Sequence, residues 1–141
     1  MTPQTAAPRI AKIRVHDAMH GGVFTCDREA LLSDVAAMMA RELVHCVVVE
    51  SGSGDEGSLW GIVSDLDLVA AATVRDLEEQ IAGGSAASPV VMVSPDETLE
   101  RAAQLMTEHA TAHLVVVDKQ TIRPVGVLST LDIARTLTQG G

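Results

Sequence analysis

The sequence predicts an α+β fold made of two copies of one β-α-β-β-α unit, and three observations predict it. Residues 31–49 (LLSDVAAMMARELVHCVVV) and 99–117 (LERAAQLMTEHATAHLVVV) match at a constant offset, which sets Leu31 over Leu99, Met38 over Met106 and His45 over His113. Helix-type and strand-type periodicities then recur in the same order in both halves. The pattern Gly-h-h-Ser-x-x-Asp, with h apolar, occurs as Gly61–Asp67 and again as Gly126–Asp132. The loop before the first copy, Ser51–Ser58, is the longer of the two and rich in Gly and Ser, and a duplicated fold tolerates length change in such a loop.

Each half opens on a short β-branched stretch, Gly22–Thr25 or Val90–Val93, expected as a strand. A helix start follows. In the second half Ser94 is the expected N-cap, with Pro95 at the first helical position and Glu97 three residues after the cap; in the first half the expected cap is Asp27. The helices carry apolar stripes at helical spacing, Leu31, Val35, Met38 and Met39 in one and Leu99, Ala102, Ala103 and Met106 in the other. The methionines read as core filler. The unbroken runs Cys46–Val49 and Leu114–Val117 fit strands buried on both faces. Second strands follow at Leu59–Val63 and Pro124–Leu128, and second helices open at Ser64 and Ser129. Between the halves, Thr73–Ala82 reads as helix and Gly83–Ser88 as a flexible link. The expected organisation is a tail at 1–13, a first repeat at 14–72, the link at 73–88 and a second repeat at 89–138.

With 141 residues, each repeat is too small to bury enough surface alone, so a shared core is expected. Hydrophobic residues make up 47% of the chain, while the aromatics are Phe24 and Trp60 only, so Val, Leu, Ile, Ala and Met must fill the core. A net charge of −9 repels phosphate backbones and argues against general nucleic-acid binding, though not against a nucleotide in a local pocket. Neither a basic cluster nor an aromatic stacking platform is present. Cys26 and Cys46 lack C-x-x-C or zinc-type spacing and are expected as reduced thiols. No apolar run is long enough to span a membrane, and the first residues do not read as a signal peptide. A cytoplasmic protein without membrane partners is the expectation.

The corner motif carries the chemistry. Gly61 and Gly126 let the strand pass close to a ligand or a neighbouring backbone. Ser64 and Ser129 stand where strand becomes helix and can cap it, and the free N–H groups there suit a phosphate. Asp67 and Asp132, in the first turn, can accept two hydrogen bonds from a vicinal diol such as a ribose. The same residues also satisfy an ordinary capping box. Duplication of the motif after a Gly-led strand favours a ligand role. His109 and His113 stand four apart and would suit a metal on a helix, but the repeat puts His113 beside a strand. With no carboxylate pair and no H-E-x-x-H, neither an enzyme nor a metal site is expected.

These features, with the lead Val15-His-Asp-Ala-Met19 and Val-Ser-Pro-Asp-Glu-Thr-Leu at 93–99, resemble a tandem CBS-domain pair, the module named after cystathionine β-synthase. The resemblance covers Arg14–Leu137. It implies two repeats packed sheet to sheet with pseudo-two-fold symmetry, and a regulatory module whose clefts take AMP, ADP, ATP or S-adenosylmethionine. Adenine would lie beside the residues preceding the apolar strand, ribose on the corner Asp and phosphate at the corner Ser. One cleft would combine Leu43, Val44 and His45 with Ser129 and Asp132; the other would combine Thr111, Ala112 and His113 with Ser64 and Asp67. The resemblance further implies a homodimer through the Met- and Ala-rich helix faces, and a separate target protein. A ligand-free dimeric scaffold is the alternative. The chain departs from the family at Val47 and Val115, where a Pro is frequent, and at His45 and His113, where a small residue is frequent. The V-x-D lead of the second repeat is read at Val74-Arg-Asp-Leu77. Arg123 and Arg135 flank the second corner while Asp65 lies inside the first, so phosphate is expected at Ser129.

Overall fold

In the computed structural model, which describes residues 8–51, 58–86 and 90–138, the elements follow in the order α1 (Val15–Ala18), β1 (His20–Gly21), β2 (Thr25–Asp27), α2 (Leu32–Glu42), β3 (Cys46–Ser51), β4 (Ser58–Ser64), α3 (Asp65–Ala72), α4 (Ala82–Ser85), β5 (Met92–Val93), α5 (Leu99–His109), β6 (His113–Val117), β7 (Pro124–Ser129) and α6 (Thr130–Thr138). Short 3-10 turns lie at Arg9–Ala11 and Leu77–Glu79. The predicted α+β class and the duplicated β-α-β-β-α order are both present, as β2-α2-β3-β4-α3 and β5-α5-β6-β7-α6.

In space the chain divides differently. One compact unit takes the chain up to Val23 and again from Val91; the other is Phe24–Val90. In the split unit the sheet order is β1-β7-β6-β5, with β7 antiparallel to both β1 and β6, and β5 parallel to β6. Its core gathers Val15, Val93, Leu99, Ala102, Met106, Leu114, Val116, Leu128 and Ile133. In the continuous unit the order is β2-β3-β4, over a core of Leu32, Val35, Met39, Val47, Val49, Val63, Leu68, Ala71 and Ala82. Each unit thus has its own buried cluster, where the repeat lengths had suggested one shared core.

A swapped leader makes this possible. In the split unit, Val15 N–H donates to the Glu97 carbonyl (2.8 Å), His16 N–H to that of Pro95 (3.0 Å), and Leu99 N–H to that of Ile13 (2.8 Å). The continuous unit repeats the arrangement: Ala82 N–H to Ala30 (2.8 Å), Gly83 N–H to Arg28 (2.8 Å), and Leu32 N–H to Gln80 (2.9 Å). The counterpart of Val15-His-Asp-Ala is therefore Ala82–Ser85, and not Val74–Leu77. The expected Thr73–Ala82 helix is also absent. Thr73 is the C-cap of α3, because the backbone near Gln80 is spent on the start of α2. Gly83 and Gly84, read as link, belong to α4. A Cβ on Gly83 would lie 3.0 Å from that of Arg28. Ala87 and Ser88 fall outside the described residues.

The same docking moves the helix caps. Thr98 caps α5, its Oγ accepting Arg101 N–H at 3.1 Å. Ser94 instead closes a turn, accepting Asp96 N–H on Oγ at 3.2 Å and Glu97 N–H on its carbonyl at 3.1 Å. The N-cap of α2 is Leu31, and Asp27 accepts Glu29 N–H at 2.9 Å.

The repeat register also shifts by one residue. Leu32, Val35 and Met39 are the buried stripe of α2, and Leu99, Ala102 and Met106 that of α5. Leu31 is exposed. Cys46 stands opposite Ser64, and His113 opposite Ser129. His45 therefore corresponds to Ala112 and His113 to Cys46. A run of valines matches itself equally well when slid by one position, but a slip of one exchanges the buried and exposed faces.

Candidate functional site

At the first corner, β4 delivers Ser64 in an extended conformation (φ −101°, ψ 169°) as the N-cap of α3. Asp67 Oδ2 accepts both the Ser64 N–H (2.8 Å) and its hydroxyl (3.0 Å), and Ser64 Oγ accepts Asp67 N–H (3.2 Å). Asp67 is part-exposed, and its Oδ1 accepts nothing among the described residues. The next two amides of α3 are covered. Asp65 N–H donates to the His45 carbonyl (2.9 Å), and Leu66 N–H to Asp65 Oδ1 (2.8 Å). The His45 imidazole reaches Asp65 Oδ2 from Nδ1 at 3.1 Å, in the open.

The second corner uses the same motif differently. Asp132 Oδ2 accepts Ser129 N–H (2.8 Å), and Ser129 Oγ accepts Asp132 N–H (3.1 Å). Asp132 Oδ1 lies 2.9 Å from His20 Nδ1. Its side chain is 3% exposed, whereas that of His20 is 64% exposed. Thr130 N–H donates to the Ala112 carbonyl at 3.0 Å. The following amide, Leu131, has no acceptor among the described residues, so this helix start keeps a donor for an anion. Gly126 has a specific task here. A Cβ would fall 2.6 Å from the His20 carbonyl and 2.9 Å from Met19 Sδ, so glycine is what lets β1 lie against β7.

The residues before the apolar strands follow a left-handed helix end, at Leu43 (φ 57°) and Ala110 (φ 51°). Val44 N–H and Thr111 N–H reach back to the Met39 and Met106 carbonyls at 3.1 and 3.0 Å. Val44, His45, Ser64 and Asp67 thus belong to the continuous unit, and Thr111, Ala112, His113, Ser129 and Asp132 to the split unit. Thr111 is tied to His113 on both sides, accepting its N–H (3.3 Å) and donating to its carbonyl (3.1 Å). His109 ends α5 and His113 begins β6, so the two do not share a helix face. Arg123 precedes β7, and a strand of that length carries it about 20 Å from Ser129, too far to serve the corner. No sequence signal points to His20. Its partner lies far along the chain, and nothing in the motif marks it.

A family model described as CBS domain matches residues 15–74 and 74–139. CBS domain-containing protein YhcV of Bacillus subtilis is 27% identical over 121 residues, covering 85% of this chain and 82% of that protein. A hexameric CBS-CP12 protein from bloom-forming cyanobacteria is similar in structure, with a TM-score of 0.79 and 23% identity over 89% of this chain and 72% of that one. The CBS domain pair of protein MJ0100, in complex with 5′-methylthioadenosine and S-adenosyl-L-methionine, has a TM-score of 0.74 and 20% identity over 87% of this chain and 94% of that one. With two matched repeats spanning nearly all of it, the chain belongs to the CBS-domain family as a tandem pair.

Proposed function

We propose that this chain is a regulatory module that binds an adenosine derivative (AMP, ADP, ATP or S-adenosylmethionine) and acts on a separate target protein. The observation that carries the reading is the first corner. A fixed carboxylate, held on one oxygen by the helix cap, keeps Asp67 Oδ1 open to a ribose diol. The adenosine ligands of the MJ0100 pair support the ligand class. In this proposal the ribose goes to the corner carboxylates, Asp67 and Asp132. Phosphate goes to the Leu131 amide beside Ser129.

A melting series of the full chain with each of the four compounds tests the reading. Ligand that binds only the native state stabilises it by about 2.7 kcal/mol at a hundredfold excess over Kd. The double variant Asp67→Asn/Asp132→Asn, whose amide oxygens still cap the helices, is expected to lose the shift. A full shift in that variant would overturn the site.

A ligand-free homodimeric scaffold is the second reading. What favours it is α3, where Leu66 and Val69 are 73% and 63% exposed. It predicts no thermal shift with any of the four compounds.

A further inference from the structure

We infer that His20 is a gate on the second corner, closing the Asp132 carboxylate to a ribose diol and setting the adenosine affinity of that corner below that of the first. The inference rests on the adenosine reading above. A diol must find an open oxygen on the corner carboxylate. At Asp132 one oxygen is spent on the Ser129 amide, and the other lies under the His20 imidazole at 2.9 Å. At Asp67 both cap bonds fall on Oδ2, and among the described residues nothing reaches Oδ1.

The gate is a side chain on a fixed hinge. His20 pairs with Val127 and Gly21 with Gly126, so the backbone of β1 is anchored to β7. The imidazole is mostly in water and can swing off Asp132 without disturbing the core. Ligand entry must therefore displace the imidazole from its 2.9 Å contact with the carboxylate, which makes the closed corner weaker by the order of tenfold in Kd. Among the described residues, the first corner has no such group.

Calorimetric titration of the full chain tests this, with AMP and in parallel with S-adenosylmethionine. The wild type should bind more weakly at the second corner than at the first. His20→Ala should tighten the weaker step about tenfold and leave the stronger one unchanged, and His20→Ala/Asp132→Asn should lose that gain. His20→Gln, whose amide can still donate to Asp132, should restore the weak step. Unchanged or weakened binding in His20→Ala would overturn the gate while leaving the adenosine reading intact. If neither compound binds the wild type or His20→Ala, the adenosine reading falls and the gate with it.

Discussion

Asp132 tolerates 4% exposure because one of its oxygens accepts the Ser129 N–H and the other lies 2.9 Å from the His20 imidazole nitrogen. A carboxylate buried without such partners would cost several kcal/mol. Asp67 holds the same motif position yet stays part-exposed with an oxygen to spare, so identical motifs differ through a neighbour outside them. Cys26 shows the same dependence on surroundings. Burial first, then the charges of Asp27 and Glu50, push its thiol from its ordinary value of 9.0 up to about 11. Thiolate is then scarce at neutral pH, and Cys26 is expected to be alkylated by iodoacetamide much more slowly than a free thiol. Modification at the rate of glutathione, mapped to Cys26 by mass spectrometry, would contradict this. The same shift has a stability consequence. As pH rises through 9 the unfolded thiol ionises before the native one, so the fold loses stability between pH 9 and about 11, and the thiol contributes no slope below 9.

Among the elements, the central strands were legible because valine-rich runs admit little else: Val47, Val48, Val49, Leu114, Val115 and Val116 are all fully buried. The helix starts were not. The rule that finds caps weighs Ser94, Pro95 and Glu97 as a local signal, but the α1 backbone occupies the Pro95 and Glu97 carbonyls and so sets where α5 begins. Thr98→Ala is therefore expected to cost about 1 kcal/mol in urea unfolding. Ser94→Ala should cost less than half as much; a larger loss at Ser94 would restore the cap to the sequence-predicted place. The Ser-x-x-Asp corners were legible as caps and as candidate sites alike. What the motif could not convey was which carboxylate oxygen remains open, since that depends on β1 and its glycine contact at Gly126.

At the scale of the molecule, repeats along the sequence and units in space are two partitions of one chain. Val15 opens the first repeat along the sequence, yet it is fully buried in the core that holds the second. No reading of periodicity reveals this, because the exchange lies in the connection between segments and leaves each segment's pattern unchanged. The exchange also imposes an order in time. The Ala82 N–H to Ala30 bond forms within the continuous unit, whereas its counterpart, Val15 N–H to Glu97, must wait until the whole of Phe24–Val90 has been spanned. Longer closures cost more entropy, and distant contacts are slow to form. In refolding followed by pulsed hydrogen exchange, the Ala82 amide should gain protection before that of Val15; the reverse order would refute this sequence of events. Because His20 travels with the segment that docks across the longer closure, the second corner is expected to be completed late in refolding, its carboxylate reached by ligand before it is reached by His20.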